Sequence, residues 1–301
     1  MSKRSIIHMI NPMKHNSPFD INMALDAGYD ILMPYQHVKL EEVSGLTQDA
    51  IFSRGPSGVK KTGMFIGGRD IGLAMDMLDA AKKAMVPPFE ISVFADPSGA
   101  FTTAAALVAC VERELKKNFN KGYEGTKAVV FGGTGPVGLA TAVIAALQGA
   151  DTTIVDHFSI DTALEFAEEA KRRYGVQLRA TTAASDADKA RLLSDAEAVF
   201  CTAKAGIQVL NASVLSDAKQ LKVAGDVNAV PPLGIEGVEL MDSGTPLLLA
   251  KNSPNAVGIG ALAVGNVKYK LQQALLRETL EAEKPVYLDF RNAFEGARKL
   301  A

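Results

Sequence analysis

The stretch KAVVFGGTGPVGLATAVIAALQGADTTIVD, Lys127 to Asp156, decides the fold. An apolar run of strand length, Ala128 to Phe131, leads directly into Gly133, Gly135 and Gly138, spaced as GxGxxG. A helical run follows, and a second apolar strand ends on Asp156. A lone GxGxxG is weak evidence; with the strand before it, the helix after it and the acid downstream, it identifies a βαβ unit that binds a dinucleotide.

Each position has a physical reason. Gly133 is expected to allow the tight turn, Gly135 to let the backbone approach a pyrophosphate, and Gly138 to let helix pack on strand. The helix N-terminus offers unpaired N–H groups and a partial positive charge to the phosphates. Pro136, in the first helical turn, loses no donor that the helix needs. Asp156 is placed to accept hydrogen bonds from the adenosine ribose, and its charge opposes a 2′-phosphate, which favours NAD. His157 beside it can meet a phosphate when protonated, which leaves NADP open; a solvated loop histidine is the plain alternative. The expected cofactor-binding set is Gly133, Thr134, Gly135, Pro136, Val137, Gly138, Asp156 and His157, joined by Asp226 further on.

Outward from this unit, apolar runs of strand length alternate with helical patterns. Ser5 to Ile10 precedes a helix over Phe19 to Ala27, and Tyr29 to Met33 precedes one over Leu40 to Phe52. Thr62 to Ile66 is followed by a helix from Asp70 to Met85, and Ile91 to Ala95 by a helix from about Gly99 to Phe119. The polar stretch Asn118 to Thr126 reads as a domain junction. A second series then begins, with strands over Ala128 to Phe131, Thr152 to Val155, Val176 to Ala180, Ala198 to Cys201 and Leu221 to Ala224. An amphipathic segment from about Val267 to Glu283 and a short helix from about Arg291 close the chain, able to return and brace the first domain.

The alternation predicts an α/β protein of two domains. Residues 1–120, with the helices of about 267–301, form a parallel α/β domain, and 121–266 form a Rossmann-type nucleotide domain. Ligands then belong at the carboxyl ends of strands, where the loops Asn11 to Asp20, Gly67 to Asp70 and Asp96 to Thr103 are polar and rich in glycine and proline.

Composition narrows the partners. The 301 residues are 48% hydrophobic and 22% charged, with a formal net charge of -2. Such a chain carries no general field for nucleic acid or anionic lipid. Small molecules and further protein subunits remain. Two cysteines, Cys110 and Cys201, far apart and without a histidine cluster, indicate neither a disulfide framework nor a zinc site, and fit a reducing cytoplasm. The opening MSKRSIIHMI lacks the apolar run of a signal segment. The uncharged stretch Ala128 to Ala150 is long enough for a membrane span, but its five glycines and Pro136 divide it into strand, turn and helix.

Five further segments carry a resemblance: SPFDINMALDAGYD (Ser17 to Asp30), LTQDAIFSRGP (Leu46 to Pro56), VPPFEISVFADPSGAFTTAAA (Val86 to Ala106), GDVNAVPPLGIEG (Gly225 to Gly237) and VGIGALAVGNVKYK (Val257 to Lys270). With the nucleotide domain second in order, they resemble the bacterial NAD(P)-dependent methylene-tetrahydromethanopterin dehydrogenases, in particular the B-type enzymes of methylotrophs that serve formaldehyde oxidation. The resemblance covers nearly the whole chain. It implies hydride transfer from methylene-tetrahydromethanopterin to NAD or NADP without a metal, and an architecture similar to methylene-tetrahydrofolate dehydrogenases. It also implies a homo-oligomer, expected as a trimer, in which a neighbouring subunit completes the cleft between two domains.

Carried over residue by residue, the family's active-site phenylalanine falls on Phe19 with Asp20 beside it, its threonine on Thr103 and its lysine on Lys268. A histidine one turn after that lysine in the folate-using A-type enzymes is Gln272 here, which favours the B-type reading over folate activity. The expected catalytic residues are Lys268, Thr103 and Asp20; Phe19, Asp96, Gln272 and Asn228 are expected at the substrate. Each has a plain alternative. Asp20 can charge the first turn of its helix, Ser98 can cap the helix near Gly99, Phe19 can be a hydrophobic staple, and Lys268 can be a solvated lysine. Asp226 and Asn228 can form an Asx turn before the proline pair.

The chemistry needs no base. Loss of hydride from a carbon between two nitrogens leaves a cation stabilised by their lone pairs, so positioning and electrostatics are the protein's share. A charged lysine opposes that cation, so Lys268 must be neutral, paired with an acid such as Asp20, or bonded to a pterin oxygen. Rival readings are a methylene-tetrahydrofolate dehydrogenase, a shikimate-type dehydrogenase, and an NAD(P)-binding sensor without catalysis.

Overall fold

A computed structural model describes residues 3–301. In chain order the first series is β1 (Ile6–Ile10), α1 (Pro18–Asp26), β2 (Ile31–Tyr35), α2 (Val43–Phe52), α3 (Pro56–Val59), β3 (Thr62–Ile66), α4 (Ile71–Lys83), β4 (Ser92–Ala95) and α5 (Ala100–Phe119). The second is β5 (Lys127–Phe131), α6 (Pro136–Leu147), β6 (Asp151–Asp156), α7 (Ile160–Tyr174), β7 (Arg179–Thr182), α8 (Asp186–Leu193), β8 (Ala198–Cys201), α9 (Ala212–Ser216) and β9 (Val223–Asp226). The chain finishes through β10 (Ser243–Pro246), β11 (Val257–Ile259), α10 (Ala261–Glu281), β12 (Tyr287–Leu288) and α11 (Phe290–Arg298).

The described chain divides into two compact units. One comprises the residues up to Thr102 with Tyr269–Gly296, the other Thr103–Lys268 with Ala297–Ala301. The polar stretch Asn118 to Thr126 therefore lies inside the second unit. The reason is α5: beyond Thr102 its residues Ala104 to Val111 are buried, and Leu107 and Val111 lie against Gly225 of β9.

In the first unit, five strands in the order β12-β4-β3-β1-β2 run parallel. The central strand β3 is buried at every residue, as parallel strands covered on both faces must be. Phe65 and Phe94 meet edge to face at 5.6 Å between ring centres, a favourable arrangement for aromatic pairs. Residues of the chain's last segment pack within this unit. Tyr29 and Thr279 share a buried hydrogen bond of 2.8 Å, and Phe290 packs on Phe101 at 5.4 Å.

The second unit holds seven strands in the order β10-β11-β9-β8-β5-β6-β7, parallel except for the antiparallel edge strand β10. Strand order reverses about β5, which pairs with β6 on one side and β8 on the other, so the crevice at its carboxyl end is the place for a ligand. Phe131, Cys201 and Val155 belong to one apolar cluster with Leu210, Leu215 and Ile235. Near the chain end, Arg298 grips the buried Glu112 carboxylate with two bonds of 2.7 and 2.6 Å.

Several boundaries differ from the sequence reading, among them β2, displaced by two residues from Tyr29 to Met33, and β9, displaced by two from Leu221 to Ala224. Helix α10 begins at Ala261, not near Val267, because Val264 and Val267 give it a buried face that outweighs the cost of Gly265, about 1 kcal/mol. Strand β7 starts at Arg179 because α7 ends in a left-handed turn at Gly175 and the chain must return to the sheet edge first. The strands β10, β11 and β12 were not anticipated; each is short, and β10 ends on a proline, which the sheet tolerates at its edge. Among the described residues no helix is long and apolar enough to cross a membrane.

Candidate active site

The nucleotide turn is built mostly from missing side chains. Gly132 carries the left-handed backbone, at φ +75°, and a Cβ there would stand 2.8 Å from the nitrogen of Ala203. The tight turn thus belongs to Gly132, one residue before the position the spacing suggests. Gly133 serves another end, since a Cβ on it would meet that of Ile154 at 2.7 Å. At Gly138 a Cβ would drive into the carbonyl oxygen of Gly132 and lie 2.7 Å from the Thr202 hydroxyl. Thr202 donates to the carbonyl of Phe131 at 2.8 Å and so ties the end of β8 to the turn. Gly132 and Thr202 were missed; the doublet Gly132-Gly133 was the only available signal.

Gly135 stands at the N-cap of α6, and a Cβ on it would meet nothing nearer than the Gly132 oxygen at 3.4 Å. The backbone is open to a ligand there. Val137 and Gly138, in the first turn, have N–H groups with no helical acceptor, as in any helix start, and Pro136 has none to satisfy. These residues fit a pyrophosphate without rearrangement.

Asp156 closes β6, half-buried. One carboxylate oxygen accepts from the backbone N–H groups of Phe158 and Ser159, both at 2.8 Å, and the other accepts from the Thr134 hydroxyl at 2.6 Å. Burial alone would raise its pKa, but these hydrogen bonds and the neighbouring His157 hold it below the usual carboxylate value. The carboxylate is therefore charged at neutral pH. His157 and Phe158 are exposed, their rings edge to face at 4.5 Å.

Asp226 and Asn228 take on internal tasks at the end of β9. Asp226 is buried and accepts from the N–H groups of Asn228 and Ile235 at 2.9 and 3.1 Å; burial pushes its pKa up, and these donors only partly offset it. Asn228 accepts from Gly206 and Val230 and donates to the carbonyl of Pro232. Together they shape the loop before and through the proline pair, which is the Asx-turn alternative realised.

In the first unit, Asp96 is fully buried and caps α5, accepting from the N–H groups of Phe101 and Thr102 at 2.9 and 3.1 Å and from the Thr102 hydroxyl at 2.6 Å. Ser98 does not cap that helix. Its backbone is left-handed at φ +54°, and its hydroxyl donates to the carbonyl of Gly68 at 2.6 Å, joining the loops after β3 and β4.

Asp20 and Gln272 come together although 252 residues apart, with the amide Nε2 donating to Oδ1 at 2.9 Å and both residues buried. Phe19, next to Asp20, is 46% exposed and is the second residue of α1, not the one before its N-cap where a staple stands. Thr103 on α5 and Lys268 on α10 are half-buried, and Lys268 precedes Gln272 by one helical turn.

A parallel sheet with a reversal of strand order at β5, a glycine-lined turn and an acid closing the next strand define an α/β dinucleotide-binding protein of the Rossmann type. The solved quinate dehydrogenase from Corynebacterium glutamicum, in complex with NAD, shares the fold at a TM-score of 0.55, 13% identity and 99% coverage of each chain. The family model for the N-terminal part of methylene-tetrahydromethanopterin dehydrogenase matches residues 18–98. An NAD(P)-dependent methylenetetrahydromethanopterin dehydrogenase from Methylorubrum extorquens is 48% identical over 99% of both chains. The bifunctional protein MdtA of the same organism is 31% identical over 95% of both. The chain belongs to the methylene-tetrahydromethanopterin dehydrogenase family.

Proposed function

We propose that this protein oxidises methylene-tetrahydromethanopterin to the methenyl form, passing hydride to NAD or NADP, as a step in one-carbon oxidation. The observation that carries the reading is the near-full-length likeness to the Methylorubrum extorquens dehydrogenase, in a chain whose glycine turn is intact for the nucleotide.

Bound NAD(P) supplies the hydride acceptor, carbon C4 of the nicotinamide. The turn Gly132 to Gly138 and the start of α6 hold its pyrophosphate, and Asp156 reads its adenosine ribose. A C–H bond of the methylene carbon breaks, its electron pair leaves with the hydrogen, and the positive charge spreads over two pterin nitrogens. No proton moves, so the chain's own residues act by holding and by charge. Phe19 presents an exposed ring suited to a pterin face, and Asp20, next to it, is held by the amide of Gln272. Thr103 and Lys268 are assigned to polar atoms of the pterin. We assign the protein to the cytoplasm and expect a homo-oligomer, a trimer.

The test is a spectrophotometric assay of the purified protein with methylene-tetrahydromethanopterin, methylene-tetrahydrofolate and shikimate, each with NAD and with NADP. Reduced nicotinamide should form with the methanopterin and far more slowly, or not at all, with the other two. No reduction with the methanopterin overturns the reading; preference for the folate or for shikimate replaces it.

A further inference from the structure

A carboxylate has about four lone-pair positions for hydrogen bonds. In Asp156 three are occupied from within the chain: two on Oδ1, by the N–H groups of Phe158 and Ser159, and one on Oδ2, by the hydroxyl of Thr134 at 2.6 Å. One remains. The two backbone donors come from the turn that follows the strand and depend on no side chain. The third is a choice of residue: Thr134 sits inside the glycine turn, between Gly133 and Gly135, and reaches across from the phosphate-binding loop to the ribose-reading acid.

An acid at this position selects NAD in two ways: by accepting from the ribose 2′-hydroxyl, and by repelling the 2′-phosphate of NADP. A hydroxyl hydrogen aimed at Oδ2 weakens both. It competes for the acceptor, and its positive end lowers the field that a 2′-phosphate meets. His157, exposed next in the chain, adds to the second effect whenever it is protonated.

We infer that Thr134 is a positioning residue that sets nucleotide specificity, its hydroxyl holding Asp156 so that a single acceptor faces the ribose and NADP is admitted beside NAD. The inference deepens the proposed function and rests on that reading of the site. A purely structural role for Thr134, a tie between turn and strand, predicts something different: loss of the hydroxyl would then weaken both nucleotides alike.

The experiment compares wild type with Thr134→Val, Thr134→Ala and Thr134→Ser, titrating each with NADH and NADPH. The chain has no tryptophan, so nucleotide fluorescence reports binding directly. The ratio Kd(NADPH)/Kd(NADH) should rise about threefold to tenfold in Thr134→Val and Thr134→Ala, the net size of one ordinary hydrogen bond, and return to the wild-type ratio in Thr134→Ser. An unchanged or lower ratio in the Val and Ala variants overturns the inference, as does a serine variant that shifts like valine. Two hydroxyl-free variants guard against one that does not fold. Because binding is read without the pterin, a protein that discriminates the nucleotides as stated but fails to oxidise methylene-tetrahydromethanopterin would sink the function and leave this inference standing.

Discussion

Two regions carry the proposed site, and they are made in opposite ways. The turn from Gly132 to Gly138 is local, its shape fixed by side chains that are absent, so that backbone lies against Ala203, Ile154 and Thr202 where any Cβ would intrude. The Asp20–Gln272 pair is long-range, two polar side chains brought 2.9 Å apart inside the first unit by folding of distant segments. A turn of the first kind tolerates no added atom at Gly132, Gly133 or Gly138, and those glycines lie together in one short stretch of sequence. A pair of the second kind is easily rewritten by single substitutions. On the proposed reading the first region holds the nucleotide, and the second is where a particular substrate chemistry is set.

That contrast can be broken or sharpened by substitution. The largest effect should come from the substrate half: Lys268→Ala is expected to lower kcat by about a hundredfold or more, the scale of losing one polar contact to the reacting group, while the Kd for NAD changes less than about twofold. Stopped-flow turnover with nucleotide titration checks it, and a fully active variant would remove Lys268 from the chemistry. Gly138→Ala should act on the nucleotide half through the fold itself. Overpacking against the Gly132 carbonyl costs about 3 kcal/mol, a fall in Tm of about 6–12 °C by calorimetry. A variant as stable as wild type would show that the turn yields, contrary to the contrast drawn above.

Gln272→Leu leaves the buried Asp20 without its amide donor and should cost about 1–3 kcal/mol, read as a lower urea midpoint; no change would mean that Asp20 does not depend on this bond. The smallest effect concerns Glu197, whose carboxylate meets two lysine side chains and the backbone of a third at the starts of β5 and β8. Burial alone would raise the pKa of Glu197, but bonds from Lys121, Lys222 and the backbone of Lys127 lower it from 4.5 to about 2. A lowered folded-state pKa gives stability that is present above about pH 4.5 and lost as pH falls through about 2. Glu197→Gln should therefore be less stable at neutral pH and show a flatter loss between those values in acid-unfolding curves.

The same contrast explains what the sequence could tell. Strands buried on both faces are continuous apolar runs, so Thr62–Ile66 and Ala198–Cys201 were legible to the residue. The glycine turn was legible because its constraint is local, though the left-handed residue proved to be Gly132. Short edge strands such as β10 and β12 carry too few residues for a period to show. Asp96, Asp226 and Asn228 could be seen as polar residues at strand ends, but whether such a residue faces a ligand or its own backbone depends on where neighbouring loops lie; here all three bond to backbone. No local pattern could pair Asp20 with Gln272; both were named from a family resemblance.

The central claim is direct transfer of hydride from the carrier's methylene carbon to the nicotinamide, and isotope labelling tests it most directly. With methylene-tetrahydromethanopterin carrying two deuterons on the methylene carbon, in ordinary water, one deuteron should appear at C4 of the reduced nicotinamide and one should remain on the methenyl product. Reduced nicotinamide without deuterium, or none at all, would contradict the account.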